Sequence, residues 1–294
     1  MEQSIATTVF LPVALAVIML GLGLSLTLDD FRRVLVYPRA VLVGLLCQTV
    51  ILPLVCFGIA RAFELPGELA VGLMLLAASP GGPTANLYSH LARGDVALNI
   101  TLTATNSILS LFTLPFVVNL SLEAFMGEGK VIPLQFAKVL QVFAIVLIPV
   151  AIGMVIKSKK PALSRGLERP VKLASAVFLA MVIVSVVAKD WAKFVAFFGQ
   201  VGLAALAFNL ASMSVGFVAP LLARLPRWQA TAITMEIGIH NGTLAIAIAA
   251  SPLLLNNGTM AIPAAVYSLI MLVTAAGFGW LVASGNERER EHGS

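Results

Sequence analysis

Apolar runs of 18 or more residues recur along the whole chain, separated by short polar linkers. A helical run of that length matches the thickness of a bilayer core, and lipid demands that its backbone groups be satisfied within the segment. The expected fold class is therefore an all-α polytopic membrane protein. Composition agrees: 59% of the 294 residues are hydrophobic and 11% are charged, more apolar sequence than a soluble core requires.

Pro, Gly and charged residues divide the chain into nine expected transmembrane helices, roughly 7–27, 38–60, 67–91, 96–120, 133–156, 171–188, 195–223, 228–252 and 259–284. The formal charge of +5 does not point to nucleic acid, because the basic residues are scattered through short linkers. Placing the linkers after segments one and five in the cytoplasm leaves fourteen Lys and Arg residues inside, among them Arg32, Arg33, Lys157, Lys159 and Lys160. Five stay outside: Arg61, Lys130, Lys138, Lys189 and Lys193. That bias predicts a multi-pass protein of the cell (inner) membrane, N-terminus outside and C-terminus cytoplasmic. Cys47 and Cys56 share one apolar segment and read as small buried residues rather than a disulfide. Met1–Thr8 lacks a basic stretch and an A-x-A site, so no cleavable signal peptide is expected.

An internal repeat follows from polarity rather than identity. Segment three is interrupted by Ser79-Pro80-Gly81-Gly82-Pro83-Thr84, and segment eight by Gly238-Ile239-His240-Asn241-Gly242. The two stand five segments apart, an odd number, so their copies cross the membrane in opposite directions. Paired broken helices in inverted halves mark the binding site of many carriers. The expected units are a first repeat of four helices over 1–120, a second of five over 133–284, and a polar tail over 285–294.

Beside the second break stands Glu236, the one carboxylate in the sequence that does not fall near a membrane surface. An acid at mid-bilayer depth costs ~2.5–3.5 kcal/mol on insertion scales, so it is retained for a task. A glycine-flanked break exposes backbone carbonyls to a cation, which points to an ion-coupled carrier. Asn241, Gly242 and Thr243 open the second half-helix, whose N–H groups and dipole favour an anion. Gln48 reads as a cation ligand or an interhelical hydrogen-bonder, while Asn209 and Ser212 read as packing polar groups.

The segment SPGGPTANLYSHLARGDVALNITLT (79–103), followed by EIGIHN (236–241), resembles the bile acid:sodium symporter family. The resemblance extends over essentially the whole chain and is that of a bacterial homologue. It implies inverted repeats of which the first helix is missing here, giving four plus five. It also implies a core domain near 38–120 and 195–284 and a panel domain near 7–27 and 133–188. Two sodium ions are implied as cofactors. Site one would use Ala85, Asn86, Asn99, Thr103 and Glu236; site two would use Gln48, Glu236, His240 and the carbonyls of Ile237 and Ile239. Several positions depart from the family pattern. Ala85 and Asn99 stand where serine is usual, His240 where glutamine is usual, and Pro83 where threonine often begins the half-helix. Imidazole nitrogen is a poor sodium ligand, and proline removes an N–H donor.

The function expected is sodium-coupled uptake of a small organic anion (bile acid, pantoate or keto-acid type) by alternating access. Pro83, Thr84, His240, Asn241, Gly242 and Thr243 would contact the anion. A proton-coupled or sodium-independent carrier using Glu236 and His240 stands as the alternative, and a membrane receptor without flux as a remote one. An intramembrane enzyme is disfavoured, because the chain has no H-E-x-x-H and no G-x-S-x-G, and no second buried acid is expected to form a dyad with Glu236. The partners are the anion and the lipid bilayer, without nucleic acid, and a monomeric state is left open.

Overall fold

The computed structural model describes residues 5–127, 136–167, 191–251 and 254–292, with single positions between 170 and 181. Most of segment six, and Lys130, Arg169, Lys172 and Lys189, lie outside the described residues. The described residues are helical throughout, without a strand. The helices are α1 (Ile5–Ser25), a short α2 (Leu28–Arg32), α3 (Pro38–Leu46), α4 (Leu52–Ala62), α5 (Gly67–Ala78), α6 (Pro83–Leu91) and α7 (Val96–Met126). They continue with α8 (Phe136–Lys159), α9 (Trp191–Leu222), α10 (Arg227–Gly238), α11 (Gly242–Ala250) and α12 (Ile262–His292). Among the described residues, four continuous helical stretches are long and apolar enough to cross a membrane: Pro38–Ala62, Val96–Met126, Phe198–Leu222 and Thr259–Glu287.

Local chemistry explains where these helices stop. Pro80 forces extended backbone on Ser79 (φ −74°, ψ 145°), which ends α5. Pro83 then takes the first position of α6, where a missing N–H costs nothing. In the second break Asn241 caps α11, its side chain accepting from Leu244 N (3.0 Å). Between α3 and α4 the helix widens into a π turn over Cys47–Ile51, in which Leu52 N–H donates to Cys47 O. Pro53 lacks the N–H that would hold a regular turn there, and the wider turn accommodates the loss.

Outward faces show what surrounds the molecule. Leu42, Leu46, Val50 and Leu54, and Ile108, Phe112, Phe116 and Leu120, recur every four residues and are exposed. Such stripes on fully hydrogen-bonded helices suit lipid.

Two groups of helices emerge from the packing. One is the pair α1 and α8, which approach each other through glycine: a Cβ at Gly153 would come 2.6 Å from Leu20 O, and one at Gly23 would overlap Val150 O. The other gathers α3–α7 and α9–α12, with α9 against α10 and α12, α5 against α7, and α10 against α6, α7 and α12. α1 touches this second group at α11. The stretch expected as a tail begins inside α12, which runs to His292 because Asn286 is buried there and donates to Ala92 O (2.9 Å) and Thr231 Oγ1 (2.9 Å).

Gly153→Val should separate α1 from α8 and destabilise the protein by about 1–3 kcal/mol, read as a lower melting temperature in detergent. Gly58→Ala is the control: nothing lies within 4 Å of its Cβ, and helix propensity should leave the protein equal or slightly more stable.

Candidate functional site

The two breaks meet. Gly81 and His240 form an isolated antiparallel bridge, Gly82 N–H donates to Ile239 O (2.7 Å) and Asn241 N–H donates to Pro80 O (2.8 Å). Each unwound strand thus supplies the partners that the other lost. Gly238 O, freed at the end of α10, accepts from Asn209 Nδ2 (3.1 Å) and Tyr267 Oη (3.0 Å). Asn209, expected as a packing group, therefore supports the break directly.

Glu236 sits in the last turn of α10, fully buried. Its carboxylate accepts from Thr103 Oγ1 (2.6 Å), Asn106 Nδ2 (3.3 Å) and the Gly81 N–H. Three donors on one carboxylate fix its direction. A Cβ on Gly81 would overlap the carboxylate, so glycine is required for this approach.

Around the acid are oxygens with no hydrogen-bond partner among the described residues: Asn86 Oδ1, Asn99 Oδ1, Asn106 Oδ1 and Gln48 Oε1. Their aim is set by the opposite end of each amide. Asn99 Nδ2 donates to Ala232 O (2.7 Å), and Gln48 Nε2 donates to Ala77 O (3.1 Å) and Ser79 O (2.9 Å). An amide oxygen cannot face a carbonyl, so these side chains cannot be flipped. Between Gln48, Pro80 and Asn106 lies a cavity of about 10 Å³, room for one water-sized occupant. A carboxylate with several aimed neutral oxygens is a donor set for a hard cation.

The remaining expected residues are spread around this centre. Ala85 is buried and offers no side-chain oxygen. Ile237 and Ile239 are buried at the end of α10, with Ile239 O already bonded across the crossing. His240 is buried, its Nδ1 on Ser79 O (3.2 Å), its ring stacked on Phe208 and edge-on to Tyr267. A carbonyl can only accept, so that contact puts the proton on Nδ1 and leaves Nε2 without a hydrogen-bond partner among the described residues. Thr84 is exposed, Thr243 half-buried, and Gly242 packs against Ser268. Pro83 opens α6, as its sequence position predicts. Asn106 was missed by sequence reasoning. It lies seven residues after Asn99 and three after Thr103, so its helical spacing alone could have flagged it.

A second cavity, about 140 Å³, lies between the two helix groups. Met19 and Leu22 of α1, Val150 of α8, Leu111 of α7 and Leu244 of α11 line it, and it reaches Pro80 at the crossing.

Membrane-length helices, a crossing of two broken helices and a buried acid among aimed neutral oxygens define a polytopic membrane carrier. Comparison with known proteins narrows that class. The profile of the Sodium Bile acid symporter family matches residues 12–197. The chain belongs to that family, and it is a transporter rather than an enzyme. It is 28% identical over 269 residues to the uncharacterized sodium-dependent transporter YocS of Bacillus subtilis, covering 88% of this chain and 78% of YocS. With the chloroplastic protein BASS1 of Arabidopsis thaliana, whose name describes a sodium/metabolite cotransporter, identity is 27% over 258 residues, 87% of this chain and 62% of BASS1. With the human ileal sodium/bile acid cotransporter it is 25% over 242 residues, 82% of this chain and 69% of the relative. The chain thus spans roughly 62–78% of these relatives' own lengths.

Gly81→Ala should force the Glu236 carboxylate aside and lower the melting temperature by an amount matching about 1–3 kcal/mol. Gly82→Ala, whose Cβ would stand 3.1 Å from His240 O, should cost less. Melting curves of both variants in sodium-free buffer check the order.

Proposed function

We propose that the protein couples inward sodium movement to uptake of a small organic anion by alternating access. The observation that carries this reading is Glu236, a fully buried carboxylate facing α7 and the first break, with the unpartnered amide oxygens of Asn86, Asn99 and Gln48 on the helices around it. In this reading Asn86, Asn99, Thr103 and Glu236 hold one sodium ion, with Ala85 adding no side-chain ligand. Gln48, Glu236 and the carbonyls of Ile237 and Ile239 hold a second. His240 takes no part as a ligand through Nδ1, which is committed to Ser79 O. Two sodium ions with a monoanion would move one net charge, worth ~2.3 kcal/mol per 100 mV.

The anion lies where α6 and α11 begin, facing their first-turn N–H groups together with Thr84, Asn241, Gly242 and Thr243. His240 backs the site with its stacked ring. Sodium stiffens the crossing from behind and so forms the anion site without touching the anion. In this reading nine transmembrane helices form inverted repeats of four and five. The pair α1 and α8 acts as the panel, the rest as the core that rocks against it, and the apolar cavity is their seam. The N-terminus lies outside and the C-terminus in the cytoplasm.

His240, at the crossing with a bare Nε2, favours one second reading: proton coupling through Glu236 and His240. Melting temperature of the purified protein in sodium versus potassium at fixed ionic strength separates the two. Sodium at 100 times its Kd should stabilise by ~2.7 kcal/mol, and Glu236→Gln should abolish the gain. No sodium effect, with a pH-dependent stability that needs both Glu236 and His240, would replace sodium by the proton.

A further inference from the structure

An ion held beside Glu236 has to leave through the protein, and one face of α7 is built unlike the rest of the interior. Asp95, Asn99, Thr103 and Asn106 follow at intervals of four, four and three, so they share one face, and all four are buried. From Asp95 to Thr103 this face rises about 12 Å. Asp95 Oδ2, Asn99 Oδ1 and Asn106 Oδ1 have no hydrogen-bond partner among the described residues. α6 adds Asn86 Oδ1 and Ser89 Oγ, one turn apart, and α12 adds Asn286 Oδ1, also without partners. α10 packs against all three of these helices.

The lower end of this column keeps oxygens without donors. Asp95 Oδ1 caps α7 by accepting from Leu98 N (3.1 Å), and Asp95 N–H donates to Trp228 O (3.0 Å), which leaves Oδ2 over. Asn286 Nδ2 is spent on Ala92 O and Thr231 Oγ1, which turns its oxygen away from them. A Cβ at Gly94 would come 2.9 Å from Ser89 Oγ and 3.2 Å from Ala232 N, so only glycine lets this turn pack so closely beside Ser89 and α10. Just outside, Arg93 and Glu287 face each other at 3.7 Å, both more than half exposed. Buried oxygens left without donors are costly unless something visits them.

We propose that this column is a release path for sodium with a further cation site at its mouth, separate from those beside Glu236. Sodium leaving Glu236 passes Asn99 and Asn86, pauses at Asp95 Oδ2 with Ser89 Oγ and Asn286 Oδ1, and enters the cytoplasm past Arg93 and Glu287. A column of oxygen acceptors with a carboxylate at each end suits a hard cation and repels the anion, so the two substrates part company inside the protein. The proposal rests on the sodium-symport reading above.

The test is accessibility of a single thiol. Ser89→Cys is made with Cys47→Ala and Cys56→Ala, which removes both native cysteines, and is exposed to a membrane-impermeant ammonium thiosulfonate from either face of oriented vesicles. Modification is expected from the cytoplasmic face alone, and sodium at ten times its half-protecting concentration should slow it about tenfold relative to potassium. Asp95→Asn, which keeps the helix cap, should raise the half-protecting sodium concentration severalfold while the sodium-dependent melting shift survives. Melting in potassium checks folding, and Asn286→Cys replaces Ser89→Cys if the latter does not fold. Absent sodium protection, or protection indifferent to Asp95→Asn, with the melting shift intact, overturns the path and leaves the Glu236 site standing. Modification from the outer face alone overturns release through this end. A parent protein without any sodium-dependent shift takes down the symport reading and the path together.

Discussion

Two hydrogen bonds between distant stretches of chain, Gly82 N–H to Ile239 O and Asn241 N–H to Pro80 O, let helices stop in the middle of an apolar body. Unpaired backbone groups in such surroundings cost several kcal/mol each, so a lone break would be hard to tolerate. Two breaks laid across each other satisfy one another, and the rest of the site follows. α6 and α11 begin at the crossing, Glu236 arrives just before it, and Gly81 is close enough to donate to the acid. Removing either break would orphan the other.

How much of this was legible in the sequence depends on the kind of signal. Among the described residues, long apolar runs placed the helix starts to within a few residues, as with 96 against Val96 and 228 against Arg227, while the ends ran on further, to Met126 against 120 and His292 against 284. Both breaks were visible because helix-breaking and polar residues cluster at each, and the acid beside the second because a carboxylate is rare at lipid depth. Three things were not. Asn106 looks like any polar residue on a helix until α10 is laid against it. The π turn at Gln48 leaves no trace beyond the proline that follows. Asn286 sits in a charged stretch that reads as solvent-exposed, and contact with Ala92 and Thr231 decides otherwise. Each depends on a partner far away in the chain, which periodicity does not carry.

The interior spends its polar groups unevenly. Asn99, Asn209 and Asn286 each commit the amide nitrogen to a backbone carbonyl and leave the oxygen without a donor. Donor ends thus hold backbone carbonyls, while the acceptor ends lie along α7, α9 and α12. The apolar seam beside α1 and α8 has the opposite character, with Leu, Val and Met side chains predominating. The molecule therefore keeps an oxygen-rich side and a hydrocarbon side on either flank of one crossing, which suits two solutes of unlike chemistry.

The π turn at Cys47–Ile51 has a mechanical consequence. Leu52 N–H bonds to Cys47 O, and an ordinary α turn would bring it to Gln48 O instead, a change of one hydrogen-bond register. Such a step rotates the chain before it against the chain after it. α3 and α4 are thus joined as the two parts of a screw. Gln48 rides on the thread, gripping Ala77 O and Ser79 O at the end of α5. Torsion in this membrane-spanning rod is tied by a single side chain to the edge of the first break.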